Sequence, residues 1–335
     1  MITDFIQKMI DRVNLTEQEA RSAMDEIMAG QATDAQIAGF LTALRMKGET
    51  PQELVGFACV MREKAEPLWD GEVPVVLDTC GTGGDRSGTF NISTAAAFVA
   101  AAAGLHVAKH GNRSATSRCG SADVIEALGL DVQMPIERLR RAIKDAGIGF
   151  LFAPRFHASM KQVMPTRSQL KVRTVFNILG PLANPAAARF QVVGVYSAEI
   201  MELMASALHG LSIEHAFVVH GANGMDEVSI SSRTYVVEMH RGEIRQFVIS
   251  PEDLGLTPVK IDAIAGGDAG ENAKIIESVF SGERGPRRDV VLLNSAPAMV
   301  AGGAAKTWKE GLQLAANMVD SGAALKKLRE LREFV

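Results

Sequence analysis

Residues 78–94 read DTCGTGGDRSGTFNIST, with glycines at 81, 83 and 84, an aspartate at 85, and then a run of hydroxyl and amide side chains. Just before it, GEVPVVLDT carries Val73, Val75, Val76 and Leu77, a β-branched run that predicts a strand ending at the glycines. Just after it, the pattern predicts a helix from about Ile92 to Ala103. Strand, glycine turn and helix in this order gather free backbone N–H groups and the positive end of a helix around an anion. Glycine supplies the positive φ and the close approach that such a cradle needs. The turn is not a Walker A loop, because no Gly-Lys-Ser/Thr follows, and GxGxxG does not fit GTGGDR. Taken by itself, a tight strand-to-helix turn with no ligand is the plain alternative.

Downstream, strands and helices alternate. The pattern predicts a strand at Leu105 to Ala108, helices at Ala122 to Leu128 and Ile136 to Ala146, and strands at Ile148 to Phe152, Gln191 to Val195 and Ala216 to Val219. It also predicts a hairpin over Tyr235 to Ile249 turning near Gly242, and a strand at Val290 to Leu293. Such alternation builds an α/β unit: a central, mostly parallel sheet flanked by helices. Upstream, residues 1–70 predict helices only. Thr16 with Glu19 and Thr33 with Gln36 are spaced as capping boxes, and Thr50-Pro51-Gln52-Glu53 sets a cap, an N1 proline and an N3 acid in order. The expected division is a helical domain over 1–70, joined by helices from 160–190, and an α/β domain over 71–159 and 191–335.

The 335 residues are 47% hydrophobic and 22% charged with a net charge of −4, which excludes disordered, collagen and coiled-coil classes. No long-range attraction for nucleic acid or anionic lipid follows from that balance. The three cysteines, Cys59, Cys80 and Cys119, show no CxxC pairing, so neither a disulfide framework nor a zinc site is expected, and a reducing cytoplasm fits. The N-terminal residues lack an apolar leader core, and the longest apolar run, Ala95 to Ala103, is far below the ~20 residues of a membrane span. No membrane partner is expected.

Two further loops join the glycine turn. KHGNRSATSRCGSAD, residues 109–123, follows a predicted strand and supplies Lys109, His110, Asn112, Arg113, Ser114, Thr116, Ser117 and Ser121 around more glycines. HGANGMDEVS, residues 220–229, also follows a strand and carries the adjacent acids Asp226 and Glu227, which suit Mg²⁺ held through one or two oxygens. In an open α/β sheet, loops at the carboxyl ends of neighbouring strands face one crevice. Neutral donors, two cations, hydroxyls and an acid pair suit a ligand with a sugar and more than one phosphate.

In order and spacing, GTGGD, NIST, KHGNR, GSADVIEALG, NILGPLANPA and HGANGMDEVS resemble the anthranilate phosphoribosyltransferase family over nearly the whole chain. The resemblance implies a homodimer with a small helical domain and a larger α/β domain of the nucleoside phosphorylase type. It implies transfer of the phosphoribosyl group of phosphoribosyl pyrophosphate to anthranilate, with Mg²⁺. Carried over, Gly81, Gly84, Asp85, Thr89, Asn91, Ile92, Ser93 and Thr94 look like ligands of the ribose and diphosphate. Lys109, His110, Gly111, Asn112, Arg113, Ser114, Ala115, Thr116, Ser117 and Ser121 would line the rest of that site. Ser93, Asp226 and Glu227 match the magnesium positions, and Gly81, Asn112 and Arg167 those that touch anthranilate.

The chain departs from the family pattern at Cys119, where a serine is usual, and at Thr166 and Lys171, which flank the assignment of Arg167. Displacing pyrophosphate from the anomeric carbon asks for stabilisation of leaving-group charge and a held amine, not for a covalent nucleophile. His110 is read as packing or orienting the acceptor ring rather than as a general base. His157, His215 and His220 have no metal or triad spacing, and Cys80 lacks a base partner. A pyrimidine nucleoside phosphorylase would share the architecture but would not need the acid pair. An inactive nucleic-acid-binding relative would show eroded loops and a basic surface.

Overall fold

A computed structural model of the chain describes residues 1–114 and 118–334. The sequence sites Ala115, Thr116 and Ser117 lie outside the described residues. The chain opens with helices α1 (Ile2–Ile10), α2 (Glu17–Met28), α3 (Asp34–Lys47) and α4 (Pro51–Glu63). Capping boxes at Thr16, Thr33 and Thr50 start the last three, because each hydroxyl accepts from the N3 amide while the N3 side chain returns to the cap. Glu53 does more than cap: fully buried, it accepts from Leu15 N at 2.8 Å and pairs with Lys47 at 2.9 Å.

There follow β1 (Leu77–Gly81), α5 (Ile92–Ala102), β2 (Val107–Gly111), α6 (Ser121–Ala127), α7 (Ile136–Arg141), β3 (Ile148–Phe152), α8 (Ala153–Phe156) and α9 (Met164–Leu170). Next come β4 (Phe190–Gly194), α10 (Met201–Gly210), β5 (His215–Gly221), β6 (Thr234–His240) and β7 (Glu243–Ile249). The chain ends with α11 (Ala269–Phe280), α12 (Pro286–Ala301), α13 (Trp308–Asp320) and α14 (Ala323–Arg332). The seven strands form one sheet in the order β3-β2-β1-β4-β5-β6-β7, parallel through β5 and antiparallel for the β6–β7 hairpin.

That order reverses direction at β1. The chain steps outward through β2 and β3, then returns to place β4 on the other side of β1. The crevice beyond the carboxyl ends of β1 and β4 is therefore the topological switch point, where ligands of such sheets bind. The glycine turn leaves β1 into this crevice.

Two hydrophobic clusters flank the sheet. One joins α5, α11, α12, α13 and α14 to one face; the alanines of α5, nearly all buried, let α12 and α14 approach closely. The other unites α1 to α4 with α10, the opposite sheet face, and Val163, Val175, Phe176, Ile178, Leu179 and Leu182 of the long connection before β4.

Three expectations are corrected. Val290 to Leu293 is not a strand but part of α12, which begins at Pro286 and is buried on all sides from Val290 to Met299. A short run apolar all round does not distinguish a buried helix from a buried strand. The strand expected from Val73 starts instead at Leu77, and Val73 and Val75 are exposed. The second strand is shifted toward its carboxyl end, so Lys109 and His110 belong to β2 and are buried. The helix expected over 136–146 is present, its last five residues wound as a π-helix.

Candidate active site

The three strand-end segments meet. Ser93, in the first turn of α5, donates its amide to Glu227 Oε1 at 3.1 Å. The Asp226 amide donates to Asp85 Oδ2 at 3.3 Å. Lys109 donates to the Thr79 carbonyl and, at 3.3 Å, to Ser93 Oγ. Glycine turn, β2 end and acid loop therefore meet at one junction, although 141 residues separate Asp85 from Asp226.

Backbone geometry makes this approach feasible. Gly83 and Gly84 have φ of 65° and 78°, a region glycine enters without cost. At Gly194, the end of β4, a Cβ would overlap the Asp226 carbonyl, so only glycine lets the acid loop cross there. The loop is held from behind by Asn294 of α12, which accepts from Val228 N at 2.8 Å and donates to Val228 O at 2.9 Å. The residue that places the acid pair thus stands in α12 immediately after Val290 to Leu293, the run that reads as a strand.

The electrostatics are those of a cation site. Burial, with Asp85 and Glu227 adding repulsion, pushes the Asp226 carboxyl well above its usual range. Burial raises Glu227 to about 7 even though Lys109 and the Ser93 amide oppose it. Hard oxygen donors crowded at such a cost suit a divalent cation of the Mg²⁺ type, so Ser93, Asp226 and Glu227 fit the ion expected there.

The remaining sequence-derived residues fall into groups. Asn91 Oδ1 accepts from Asn272 Nδ2 at 3.0 Å and from the Cys119 thiol at 3.3 Å, so Cys119 fills its place as a weak donor, its own pKa pushed by burial to about 11. Ile92 and Thr94 are buried behind the turn, and Thr89 forms an antiparallel bridge with Ala265. Ser121 Oγ accepts from Asn112 N and donates to Asn112 O, both at 3.2 Å, shaping the loop after Gly111. The Ser114 amide is 3.3 Å from Asp123 Oδ2. Arg113 does not turn into the pocket: its guanidinium pairs with Asp123 at 2.9 Å and Glu126 at 2.6 Å. Arg167, on α9, is half-buried above the Phe176 ring at 5.4 Å, and no carboxylate among the described residues pairs with it. Thr166 is buried and donates to Asp34 Oδ1 of α3 at 3.2 Å.

Several contributors have no role assigned from the sequence. His157 meets His110 edge-on at 5.3 Å, and the Nε2 atoms of both are buried without a partner among the described residues. Burial, with His157 and Lys109 nearby, lowers the His110 pKa to about 3, so the ring is neutral. Asp78, wholly buried in β1, accepts from His110 N at 3.1 Å and from Asn184 Nδ2 at 2.7 Å, tying the end of β2 to the NILGPLANPA segment. A carboxylate inside an apolar strand was the available signal. Cys80 is buried beside Asp78 and its thiol pKa is pushed far up, which removes it as a nucleophile.

A second grouping, His215, Glu238 and His240, has ligand atoms within 4.8 Å of one another. The two rings are stacked at 4.2 Å and 18°, so their in-plane lone pairs run parallel instead of converging on a metal. Glu238 is already shared between His215 and Arg245. The grouping is an ion-pair network at the amino end of β5, away from the pocket.

Residues 3–65 match the helical bundle domain of the glycosyl transferase family, and residues 73–325 match its a/b domain. The anthranilate phosphoribosyltransferase of Chloroflexus aggregans is 52% identical over 98% of this chain and 97% of that protein. That of Moorella thermoacetica is 51% identical over 100% and 98%. The crystal structure of the Thermus thermophilus enzyme superposes with a TM-score of 0.93 at 44% identity, covering 99% of both chains. The Saccharomyces cerevisiae enzyme, in complex with PRPP and Mg, superposes with a TM-score of 0.91 at 30% identity over 99% of this chain and 97% of that one. With the fold, the switch-point pocket and these likenesses in agreement from end to end, the chain belongs to the anthranilate phosphoribosyltransferase family.

Proposed function

We infer that the protein transfers the phosphoribosyl group of phosphoribosyl pyrophosphate to the amine of anthranilate, releasing pyrophosphate, as a step of tryptophan biosynthesis. The observation that carries this reading is the junction at the switch point, where Ser93 is bonded to both Glu227 and Lys109 and the neighbouring Asp226 is bonded to Asp85 of the glycine turn. Gly81, Gly84, Asp85, Thr89 and Asn91 to Thr94 hold the ribose and diphosphate, with Lys109 to Ser114 and Ser121 shaping the far wall, Arg113 through its hold on α6. Ser93, Asp226 and Glu227 hold Mg²⁺, which when bound neutralises charge on the departing pyrophosphate.

Lys109, tethered to Thr79 O and Ser93 Oγ, presents a fixed positive charge to the leaving group without reorganising. The amides of residues 81–85 add partial positive charge. Arg167 orients the anthranilate carboxylate; a half-buried guanidinium with no acid partner among the described residues has its fork available for both oxygens. Gly81 and Asn112 complete the acceptor wall. His110, neutral and tied through its ring Nδ1 to the Gly180 carbonyl at 3.2 Å, positions the ring and takes no proton. The aromatic amine gives up its proton after the bond to C1 has formed, to the departing pyrophosphate or to solvent.

We take residues 1–70 with helices from 160–190 as one domain and 71–159 with 191–335 as the other. The active form is a cytoplasmic homodimer, for which exposed Ile10 and Met46 on neighbouring α1 and α3 supply apolar surface. The test is direct: protein, Mg²⁺, anthranilate and phosphoribosyl pyrophosphate are mixed and the loss of anthranilate fluorescence is followed, with each component omitted in turn. Phosphorolysis of a pyrimidine nucleoside in the absence of Mg²⁺, with no loss of anthranilate, would overturn the assignment.

A further inference from the structure

We propose that Arg173 is a positioning residue that latches the glycine turn to the acceptor segment, so that the two substrates tighten each other's binding. The proposal rests on the functional reading above, in which Arg167 holds anthranilate and the glycine turn holds the diphosphate.

Arg173 lies six residues beyond Arg167. Between them, α9 ends and Lys171 takes the left-handed conformation, φ 52° and ψ 24°, with its amide donating to Arg167 O at 3.3 Å. Two residues, Lys171 and Val172, separate the end of α9 from Arg173, so a displacement at Arg167 has a short covalent path to Arg173. From this turn the Arg173 side chain crosses to the glycine loop, where Nη2 donates to Gly84 O at 2.6 Å. Its guanidinium also lies 3.9 Å from the centre of the Tyr196 ring. No carboxylate among the described residues pairs with Arg173, so these two contacts hold it.

Tyr196 closes the circuit. Its amide donates to Thr82 Oγ1 at 3.1 Å, and the Thr82 amide donates to Gly194 O at 2.8 Å. The first residue of the glycine turn is thus fastened to the end of β4 directly. Gly84, with φ of 78° and no side chain of its own, is joined to the same strand end through the Arg173 guanidinium that lies on Tyr196. A planar fork suits this double task, since it donates in its plane while lying flat on the ring; an ammonium attracts the ring as a point charge but has no plane to stack.

A turn ordered through this latch is ordered once for both ligands. Anthranilate on Arg167 steadies the segment 167–173 and with it Gly84, and a diphosphate on the turn does the same in reverse. Such coupling is reciprocal by necessity.

Inorganic pyrophosphate with Mg²⁺, and anthranilate, form a pair that occupies both subsites without reacting. Calorimetric titration of pyrophosphate, with and without saturating anthranilate, yields the coupling factor. In the wild-type protein, first shown to turn over, anthranilate should tighten pyrophosphate by about 5-fold or more, within the range of ordinary couplings. In Arg173→Ala the factor should fall to about one while each ligand still binds alone, and Arg173→Lys should restore little of it. Tyr196→Leu, which removes only the stacking face, should give an intermediate value. A wild-type factor of one in an active enzyme, or an undiminished factor in Arg173→Ala, overturns the latch. Absence of turnover in the wild type would instead overturn the functional reading, and the latch with it.

Discussion

Replacing Arg167 by alanine removes the one cation of the acceptor segment that is half-buried and has no carboxylate partner among the described residues. Burial alone lowers its pKa, so the folded protein already bears the desolvation cost that an incoming carboxylate would otherwise have to meet. Two charge-assisted hydrogen bonds from its fork to anthranilate are then worth about 2–4 kcal/mol. That corresponds to a rise of about 30- to 1,000-fold in the anthranilate KM. The KM for phosphoribosyl pyrophosphate should rise far less, by about the 5-fold coupling that runs through Arg173, because the glycine turn and Lys109 remain intact. Arg167→Lys retains the charge but not the fork and should fall between. Both constants come from the fluorescence assay, varying one substrate with the other saturating. Equal effects on the two KM values would remove Arg167 from its role, whatever the loss of activity.

Other outcomes follow from the same geometry. Gly194→Ala should cost more than about 3 kcal/mol or prevent folding, since its Cβ would overlap the Asp226 carbonyl; thermal melts of purified protein decide this. Lys171→Gly should stabilise the protein by about 0.5–1 kcal/mol in the same melts, because Lys171 occupies a left-handed position at the end of α9. With an unfolded pKa near 6.5 and a folded one of about 3, His110 binds a proton first in the unfolded chain, so stability is lost as pH falls from about 6.5 toward 3. At pH 5 the loss is about 2 kcal/mol, and urea titrations of His110→Asn should show that slope flattened. Chelation with EDTA should abolish turnover, and added Mg²⁺ should restore it.

Much of this molecule is encoded in short stretches. The capping boxes at Thr16, Thr33 and Thr50 form because donor and acceptor are three residues apart, and Gly83 and Gly84 take positive φ because glycine alone does so freely. The β3 boundaries, the hairpin turning near Gly242 and the alternation that builds the sheet follow from equally local patterns. The candidate segments at 81–94, 109–121 and 226–227 were legible as strand-end segments, although Lys109 and His110 lie in β2 itself, and the motifs carried the family resemblance.

Their meeting was a matter of tertiary structure. Where Asp85 touches the Asp226 amide, where Asn184 reaches Asp78, and where Arg173 finds Gly84, the partners are 141, 106 and 89 residues apart. The strand order that folds β4 back beside β1 decides all three. The same distance between cause and effect hid the role of α12: its apolar run reads equally as strand or helix until packing buries it on every side and sets Asn294 under the acid loop. Arg113 shows the converse, a cation of the right type in the right loop that neighbouring Asp123 and Glu126 draw away from the pocket. Side-chain chemistry is written residue by residue, whereas its direction is set by which buried surfaces meet.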